Sequence, residues 1–305
     1  MSEPRRPATS TATEWPTLGL LAACYIGWAV GTTWLAALWL PAGMILTALA
    51  IALHSSLSHE MIHGHPFRDR RVNEALVFPA LTLVIPYRRF RDTHLAHHQD
   101  SILTDPYDDP ESNYWDPAVW QTLKPWQQGI LRFNNTLAGR LLIGPAVGTF
   151  AFTLSDMRAI REGTPGVLNA YLWHIPALLP VVLWLAQVAD MPVWAYLLAA
   201  YAGLSILKIR TFLEHQAHER ARGRTVIIED RGLLAFLFLN NNLHVVHHMH
   251  PRTPWYRLPE LYRANKERYL GRNDGYRYAT YGEIFRRYLF KAKDPVPHPL
   301  WRSPE

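Results

Sequence analysis

The chain has 305 residues, a formal net charge of +6, 15 histidines and 12 tryptophans. Cys24 is the single cysteine, so disulfides within the chain and metal sites built from several thiolates are excluded. The sequence holds no nucleic-acid-binding motif, and its positive charge accompanies long uncharged apolar runs. This combination favours a surface that faces anionic lipid headgroups, without nucleic-acid binding.

The N-terminal part of the chain changes abruptly from polar to apolar. Residues 1–14 are polar and rich in Pro and Thr, which predicts a disordered tail. Residues 15–58 contain no Lys, Arg, Asp or Glu. A membrane-spanning helix needs about 20 predominantly apolar residues, so this run is long enough for two. We predict helices at about 16–36 and 40–58, with the second continuing out of the membrane toward His59.

Two further apolar runs follow in the second half of the chain and predict helices at 167–189 and 192–208. Lys208 and Arg210 end the second run. Two helical hairpins would place both termini, the histidine motifs and most basic residues on one side, which the positive-inside rule assigns to the cytoplasm. The predicted fold is therefore an all-α integral membrane protein with four transmembrane helices and a cytoplasmic helical cap.

The segments between the predicted hairpins are harder to assign. Residues 76–85 are apolar but short and contain a proline, which favours a re-entrant or interfacial segment. Residues 104–115 (TDPYDDPESNYW) predict a loop, for which a solvated acidic turn is favoured over a role in metal binding. Residues 115–140 mix Trp with polar residues and predict an amphipathic interfacial helix, whereas 141–152 are too short for a predicted span.

Histidines recur in one HExxH and two HxxHH motifs. Each residue of an α-helix turns the chain by about 100°, so positions i, i+3 and i+4 share one arc. Neutral imidazole is the commonest side-chain ligand for first-row metals. With few carboxylates and no thiolates in the motifs, the composition suits two iron ions better than calcium or magnesium. The predicted ligands are His59, His63, His94, His97, His98, His244, His247 and His248, with His215 as a ninth.

Two other functions are consistent with parts of this pattern. HExxH alone is typical of zinc proteases with Glu60 as the base, but that function leaves both HxxHH motifs unused. A membrane protein that handles metals without redox chemistry would need polar ligands near the middle of the helices, whereas these motifs lie at helix ends. Isolated histidines such as His174 and His298 fit hydrogen-bonded core residues.

The set HEMIH, HLAHH and HVVHH, with RTFLEH before the last motif and HHMHPRTPWYRLPEL after it, resembles the membrane fatty acid desaturase family. That superfamily also includes lipid hydroxylases and carotenoid ketolases. The resemblance covers roughly residues 50–262, which indicates a membrane domain at 15–262 and a basic cytoplasmic segment at 263–305. It implies two iron ions, O2 as co-substrate, a lipid substrate, and electrons from a separate ferredoxin, rubredoxin or cytochrome and its reductase.

The nine histidines match the family's metal ligands, with His215 as the extra ligand before the third motif. The resemblance implies no catalytic residue beyond these ligands. Asn240 and Asn241 are candidates for a further position near one iron, and Glu60 and Glu214 for orienting imidazoles. The resemblance favours desaturation of a lipid acyl chain, with hydroxylation or ketolation of a lipid or carotenoid by the same metal centre as the alternative. A cluster of three arginines either binds an anionic headgroup or phosphate-bearing carrier, or anchors the chain at the membrane: Arg88, Arg89 and Arg91.

Overall fold

The structure is a computed structural model and describes residues 13–302. The predicted disordered tail lies outside the described residues except for Thr13 and Glu14. The described chain is mostly helical. Its helices are α1 (Trp15–Thr32), α2 (Trp34–Leu38), α3 (Leu40–Ile62), α4 (Arg70–Leu76), α5 (Tyr87–His97), α6 (Pro117–Thr122), α7 (Pro125–Asn134), α8 (Leu137–Leu142), α9 (Gly144–Arg161), α10 (Val167–Gln187), α11 (Val193–Thr211), α12 (Leu233–Leu237), α13 (His244–Met249), α14 (Leu258–Ala264), α15 (Lys266–Arg272) and α16 (Tyr281–Tyr288).

Short elements complete the chain. Two 3₁₀ turns lie at Ala221–Arg224 and Trp255–Arg257. Strands β1 (Ile227–Ile228) and β2 (Arg277–Tyr278) pair in parallel, so the C-terminal segment is joined directly to the region after α11.

Four helices are long and apolar enough to cross a membrane, judged by length and composition. They are Trp15–Leu38, which combines α1 and α2, together with α3, α10 and α11. The prediction of four apolar helices is confirmed. Large apolar side chains such as Ile45 on α3 and Ile175 on α10 are exposed, as expected for helices whose outer faces contact lipid.

Helix α3 lies at the centre of the apolar bundle and packs against both α1 and α11. The buried contacts include Trp28 of α1, Ile51 of α3 and Tyr196 of α11. A Cβ atom at Gly203 of α11 would lie 2.9 Å from the carbonyl oxygen of Ala48, so a glycine at this position permits the close approach of the two helices.

The two ends of this bundle differ in character. At one end, the Met191 N–H donates to the Thr32 carbonyl oxygen (2.9 Å) and the Trp184 Nε1–H donates to the Thr32 hydroxyl oxygen (2.9 Å). The α10–α11 turn therefore lies against the end of α1. At the other end, α3 finishes beside His63 and α11 finishes just before His215, so the histidine motifs gather there.

Two segments that connect the apolar helices are built mainly from turns and short helices. Residues 76–85 form mainly turns that lie between α10 and α11: the Ala80 N–H donates to the Ala177 carbonyl, and the Tyr196 hydroxyl donates to the Leu81 carbonyl. The single interfacial helix predicted for residues 115–140 is wrong, because prolines start the separate short helices α6 and α7, and α8 follows.

Two other segments extend beyond what their sequences suggested. Residues 141–152 belong mostly to the 18-residue helix α9, which continues into polar sequence through Arg161. Near the C-terminus, Tyr281 and Ile284 of α16 share a buried cluster with Phe212 and Phe238. Residues after 262 therefore contribute to the same hydrophobic core as residues before it.

Candidate metal centre

The three histidine motifs occupy the ends of three helices. His59 lies in the last turn of α3 and His63 caps it, after which Gly64 adopts a φ of 91° and ends the helix. The second motif lies at the end of α5, and the third forms most of the six-residue helix α13.

Left-handed backbone at Leu239 and Asn240 precedes α13. Their φ angles are 53° and 57°, a conformation that asparagine tolerates better than most residues. The turn connects the end of α12 to the start of α13 and so brings the third motif against the first two.

The nine predicted ligand histidines come together in two groups, and within each group one ligand atom per residue lies within 4.8 Å of all the others. We call them the five-His group and the four-His group. The five-His group comprises His59, His63, His94, His98 and His247. The four-His group comprises His97, His215, His244 and His248.

Each HxxHH motif is divided between the two groups. Residues i and i+4 of α5, His94 and His98, join the five-His group, while His97 at i+3 joins the four-His group. In α13 the assignment is reversed, since His247 at i+3 joins the five-His group. On a helix, i+4 lies about 40° to one side of i and i+3 about 60° to the other. Thus one helical turn presents ligands to two sites.

The Nε2 atoms converge within each group. In the five-His group, Nε2 of His94 lies 3.1 Å from that of His63 and 3.0 Å from that of His98. In the four-His group, Nε2 of His215 lies 2.9 Å from that of His97 and 3.1 Å from that of His244. The buried Nε2 atoms of His59 and His248 have no hydrogen-bond partner within residues 13–302. Converging nitrogens with unused lone pairs fit metal ligands.

Burial keeps most of these imidazoles neutral. It lowers the pKa of His63, His244 and His247 well below the usual value, and neighbouring histidines lower it further. For His248, burial lowers the pKa to about 4. His97 differs: burial lowers its pKa, but the carboxylates of Glu111 and Asp109 outweigh this effect and raise it to about 9. Neutral imidazole is the form that binds a metal ion.

Acidic and amide side chains fix the outer nitrogens of several rings. His97 Nδ1–H donates to Asp109 (2.7 Å), His94 Nδ1–H to Glu111 (3.0 Å) and His244 Nδ1–H to Asn241 (3.1 Å). Such contacts select the tautomer in which Nε2 is free to bind a metal. Glu214 accepts from the Asn241 side chain and lies 3.8 Å from His244 Nδ1.

Asp109 and Glu111 were not among the site residues predicted from the sequence. The expectation of a solvated acidic turn is wrong for Asp109, which is 4% exposed. Its other oxygen accepts from the Thr104 backbone N–H at 2.8 Å, so the loop is folded around this carboxylate. The available signal was the acidic loop eleven to thirteen residues after the second motif, close enough in sequence to fold back onto it.

Glu60, a candidate for orienting an imidazole, and Asn240, a candidate for a position near one iron, have other hydrogen-bond partners. Glu60 accepts from the Trp255 backbone N–H (3.2 Å), and the Asn240 side chain donates to the Trp255 carbonyl (3.1 Å). Neither hydrogen-bonds to any of the nine imidazoles in the described part of the chain. The six remaining histidines belong to neither group: His54, His65, His174, His218, His250 and His298.

A cavity of about 590 Å³ lies beside the four-His group. Its apolar walls include Phe152 of α9, Ala177 of α10 and Leu204 of α11, and its polar end reaches His97 and His215. No member of the five-His group lines it in the described chain. Apolar walls with a few convergent polar groups are typical of a ligand pocket.

The Arg88–Arg91 cluster is paired with carboxylates. Arg88 Nε donates to Glu74 (2.5 Å), and Arg89 makes two hydrogen bonds to Asp156 (2.9 and 2.7 Å). Arg91 donates to Asp92 (2.8 Å). These pairs leave little charge unbalanced for an anionic headgroup.

Comparison of the sequence with known protein families identifies one family that matches most of the chain. The sequence profile described as fatty acid desaturase matches residues 32–280. The chain is 25% identical over 252 residues to the chloroplastic omega-3 fatty acid desaturase of Brassica napus, covering 75% of this chain and 60% of that protein. A chloroplastic sn-2 acyl-lipid omega-3 desaturase (ferredoxin) of Arabidopsis thaliana is 24% identical, with 75% and 54% covered.

The similarity also extends to carotenoid enzymes. The beta-carotene ketolase of Paracoccus sp. (strain PC1) is 27% identical over 278 residues, which are 84% of this chain and 95% of the ketolase. The chain thus spans nearly all of this ketolase but little more than half of the plant desaturases.

Proposed function

This chain belongs to the fatty acid desaturase family, whose members are oxidoreductases, and from that premise we propose that it desaturates a lipid acyl chain in an O2-dependent reaction. The observation that carries the proposal is the pair of histidine groups, nine imidazoles in all, beside an apolar cavity. The chain covers only 60% of the Brassica napus desaturase. Similarity to that protein therefore does not establish the reaction, and the proposal rests on the site together with the family.

We propose that each histidine group holds one iron ion. The ligands of one ion would be the five-His group, and those of the other would be the four-His group. When bound, the iron pair would supply the redox chemistry that O2-dependent oxidation of an unactivated C–H bond requires. Imidazole-rich sites without thiolates suit iron, and a catalytic metal needs a ligand position left free.

The protein's own groups would orient the ligands and the substrate. Asp109 and Asn241 hold His97 and His244 in the tautomer that presents Nε2. The apolar walls of the cavity would exclude water and align an acyl chain against His97 and His215. The position of the substrate carbon would then decide which hydrogens are removed.

Hydroxylation or ketolation of a lipid or carotenoid is the second candidate. It is favoured by the beta-carotene ketolase of Paracoccus sp. (strain PC1), whose length the chain covers almost completely. The same ligands would serve either outcome, because returning oxygen to the carbon gives an alcohol and removing a second hydrogen gives an alkene.

The zinc protease function is poorly supported. Its general base would be Glu60, but this carboxylate accepts a hydrogen bond from the Trp255 backbone N–H and makes none with His59 or His63 in the described residues. A metal-handling role without redox chemistry would leave the cavity beside the four-His group unexplained.

We further propose that the four apolar helices form two transmembrane hairpins. The contacts of Thr32 with Met191 and Trp184 support turns at the same end of the bundle. The histidine groups and both termini would lie on the cytoplasmic side, where Lys208 and Arg210 end α11. Electrons would come from a separate donor of the ferredoxin, rubredoxin or cytochrome type, and an Arabidopsis thaliana relative carries ferredoxin in its name.

Lipid mass spectrometry tests the reaction. Membranes of a host that makes this chain with a ferredoxin and its reductase are compared with membranes that contain its His247→Ala variant. A lipid that loses two hydrogens only with the intact chain establishes desaturation, and a gain of one oxygen assigns hydroxylation. If neither change occurs while the purified chain contains no iron, the proposed function is overturned.

A further inference from the structure

A second group of basic residues lies at the polar end of the cavity. Arg140 comes from α8, Lys208 from the end of α11, and Lys293 from the C-terminal segment. All three line the cavity. We call them the inner cation cluster.

Arg140 is 4% exposed, and its guanidinium forms no ion pair with the described residues 13–302. Its buried Nε has no hydrogen-bond partner, and no ion pair is found for Arg140 or Lys208 within residues 13–302. Burying an unpaired charge costs several kcal/mol, and buried cations are therefore normally paired. Burial lowers the pKa of Arg140 only to about 10, so the guanidinium remains charged at neutral pH.

The nearby carboxylates do not balance this charge. Asp294 lies 3.6 Å from Lys293 Nζ and also accepts from the Tyr114 hydroxyl. Glu214 is 3.1 Å from Arg210 Nε, and Glu111 accepts from His94. Asp294 thus offsets Lys293, whereas Glu214 and Glu111 are engaged by residues outside the cluster, so three cations face one carboxylate of their own. The Arg88–Arg91 cluster, in contrast, has one carboxylate for each arginine.

The local packing leaves room for the cations. A Cβ atom at Gly148 of α9 would lie 3.0 Å from Lys208 Nζ, and one at Gly144 would lie 3.6 Å from Arg140 Cδ. Two glycines one turn apart therefore form the shallow face against which both side chains lie. Lys293 Nζ donates to the His215 carbonyl oxygen, which connects the cluster to the four-His group.

We propose that Arg140, Lys208 and Lys293 bind the anionic group of the substrate, a carboxylate or a phosphate, at the polar end of the cavity. The guanidinium and ammonium groups suit either anion. This inference rests on the proposed function and narrows it, because a buried surplus of positive charge serves an acyl substrate with an ionised head and not a neutral carotenoid.

Binding to metal-free protein tests this site apart from the reaction. The purified full chain, treated with a chelator in neutral detergent, is titrated with palmitate, palmitoyl lysophosphatidate and hexadecanol. We expect palmitate or lysophosphatidate to bind at least about tenfold more tightly than hexadecanol, as for a charge-assisted contact. If palmitate binds more tightly, the substrate's anionic group is a carboxylate, and if lysophosphatidate binds more tightly, it is a phosphate. Equal binding of all three would overturn the proposal.

Charge substitutions locate the effect. Arg140→Gln should reduce the preference for the anion to within about twofold while hexadecanol binding is unchanged, and Arg140→Lys should restore part of it. Lys291→Gln removes an exposed charge two residues from Lys293 and should retain the full preference. A retained preference in Arg140→Gln contradicts the assignment.

If Arg140→Gln does not fold, as judged by loss of hexadecanol binding, Lys293→Gln provides the second variant and should weaken anion binding. The binding assay contains no iron, so its outcome is separate from that of the lipid analysis. An anion preference in a chain that oxidises no lipid and contains no iron when purified would uphold this site and reject the proposed reaction.

Discussion

The five-His group and the four-His group use the same motifs in different surroundings. The five-His group draws its ligands from α3, α5 and α13 and lies away from the cavity. The four-His group has one ligand fewer, takes His215 from a non-helical segment, and lines the cavity through His97 and His215. The difference suggests a division of labour, with the four-His group nearer the substrate and more open to a small ligand.

The largest effect should come from removing one ligand from each group. His244→Ala leaves three histidines in the four-His group, whereas His247→Ala leaves four in the other. Both should lower activity by at least about 100-fold, because they remove a direct ligand. We expect His244→Ala to retain about one iron per chain and His247→Ala to retain more, by elemental analysis of purified protein.

His250→Ala is the matched control, since His250 caps the same helix but belongs to neither group. It should retain iron and most of the activity. Equal iron loss in the two ligand variants would mean that the sites fill only together, and full iron content in both would reject the ligand assignment.

A smaller effect should separate the carboxylates that support the two groups. Asp109→Asn removes the buried carboxylate that accepts a hydrogen bond from His97. Glu111→Gln removes the carboxylate that accepts from His94, and the Glu111 side chain is 26% exposed. Loss of such a contact typically costs about 10- to 100-fold in metal affinity or activity. Because water can replace Glu111 more readily, we expect the larger loss for Asp109→Asn, measured by competition with a chelator.

Asp108→Asn serves as the control for these two variants, because Asp108 is exposed in the same loop. It should change iron affinity by less than about twofold. A larger loss for Glu111→Gln than for Asp109→Asn would contradict the order expected from the burial of the two carboxylates.

The smallest effect concerns the stability of the C-terminal segment, which Glu229 joins to β1 through Lys266, Tyr262 and Arg277. Burial raises the pKa of Glu229, but hydrogen bonds from Lys266, Tyr262 and Arg277 outweigh it and lower the pKa to about 2. The ionised form therefore stabilises the fold above about pH 4.5, and this contribution is lost as the pH falls toward 2. Glu229→Gln should unfold more easily at pH 7, by about 1 kcal/mol, with unchanged iron content.

Thermal unfolding of the unchanged chain and of Glu229→Gln, in detergent from pH 7 to pH 3, measures the contribution of the Glu229 charge to stability. The difference between them should narrow as the pH falls below 4.5. A constant difference would show that Glu229 acts through its shape and packing, not through its charge.

The sequence predicted the parts of the site that depend on local periodicity. Long uncharged runs predicted four apolar helices, and the HExxH and HxxHH spacings identified the nine histidines that converge. Spacing did not reveal that one motif serves two groups, because that division depends on which neighbours face the helix. Nor did it reveal Asp109, whose role arises from a loop that folds back onto α5.

Nor did the sequence distinguish the two basic clusters. The three arginines at 88–91 were predicted either to bind an anionic group or to anchor the chain at the membrane, yet Glu74, Asp92 and Asp156 neutralise their charge. The charges without an ion pair in residues 13–302 come instead from Arg140 and Lys208, which lie far apart in the chain and meet Lys293 only in the fold. Local patterns detect clusters in sequence, whereas an uncompensated charge is a property of tertiary packing.

The divided HxxHH motif has a mechanical consequence. His247 and His248 are adjacent on the same short helix, about 100° apart around its axis, and belong to different groups. A small rotation of α13 about its axis would displace a ligand of each group at the same time. The same holds for His97 and His98 on α5. Because α5 and α13 each supply ligands to both groups, a movement of either helix would change the ligand geometry of both metal sites together.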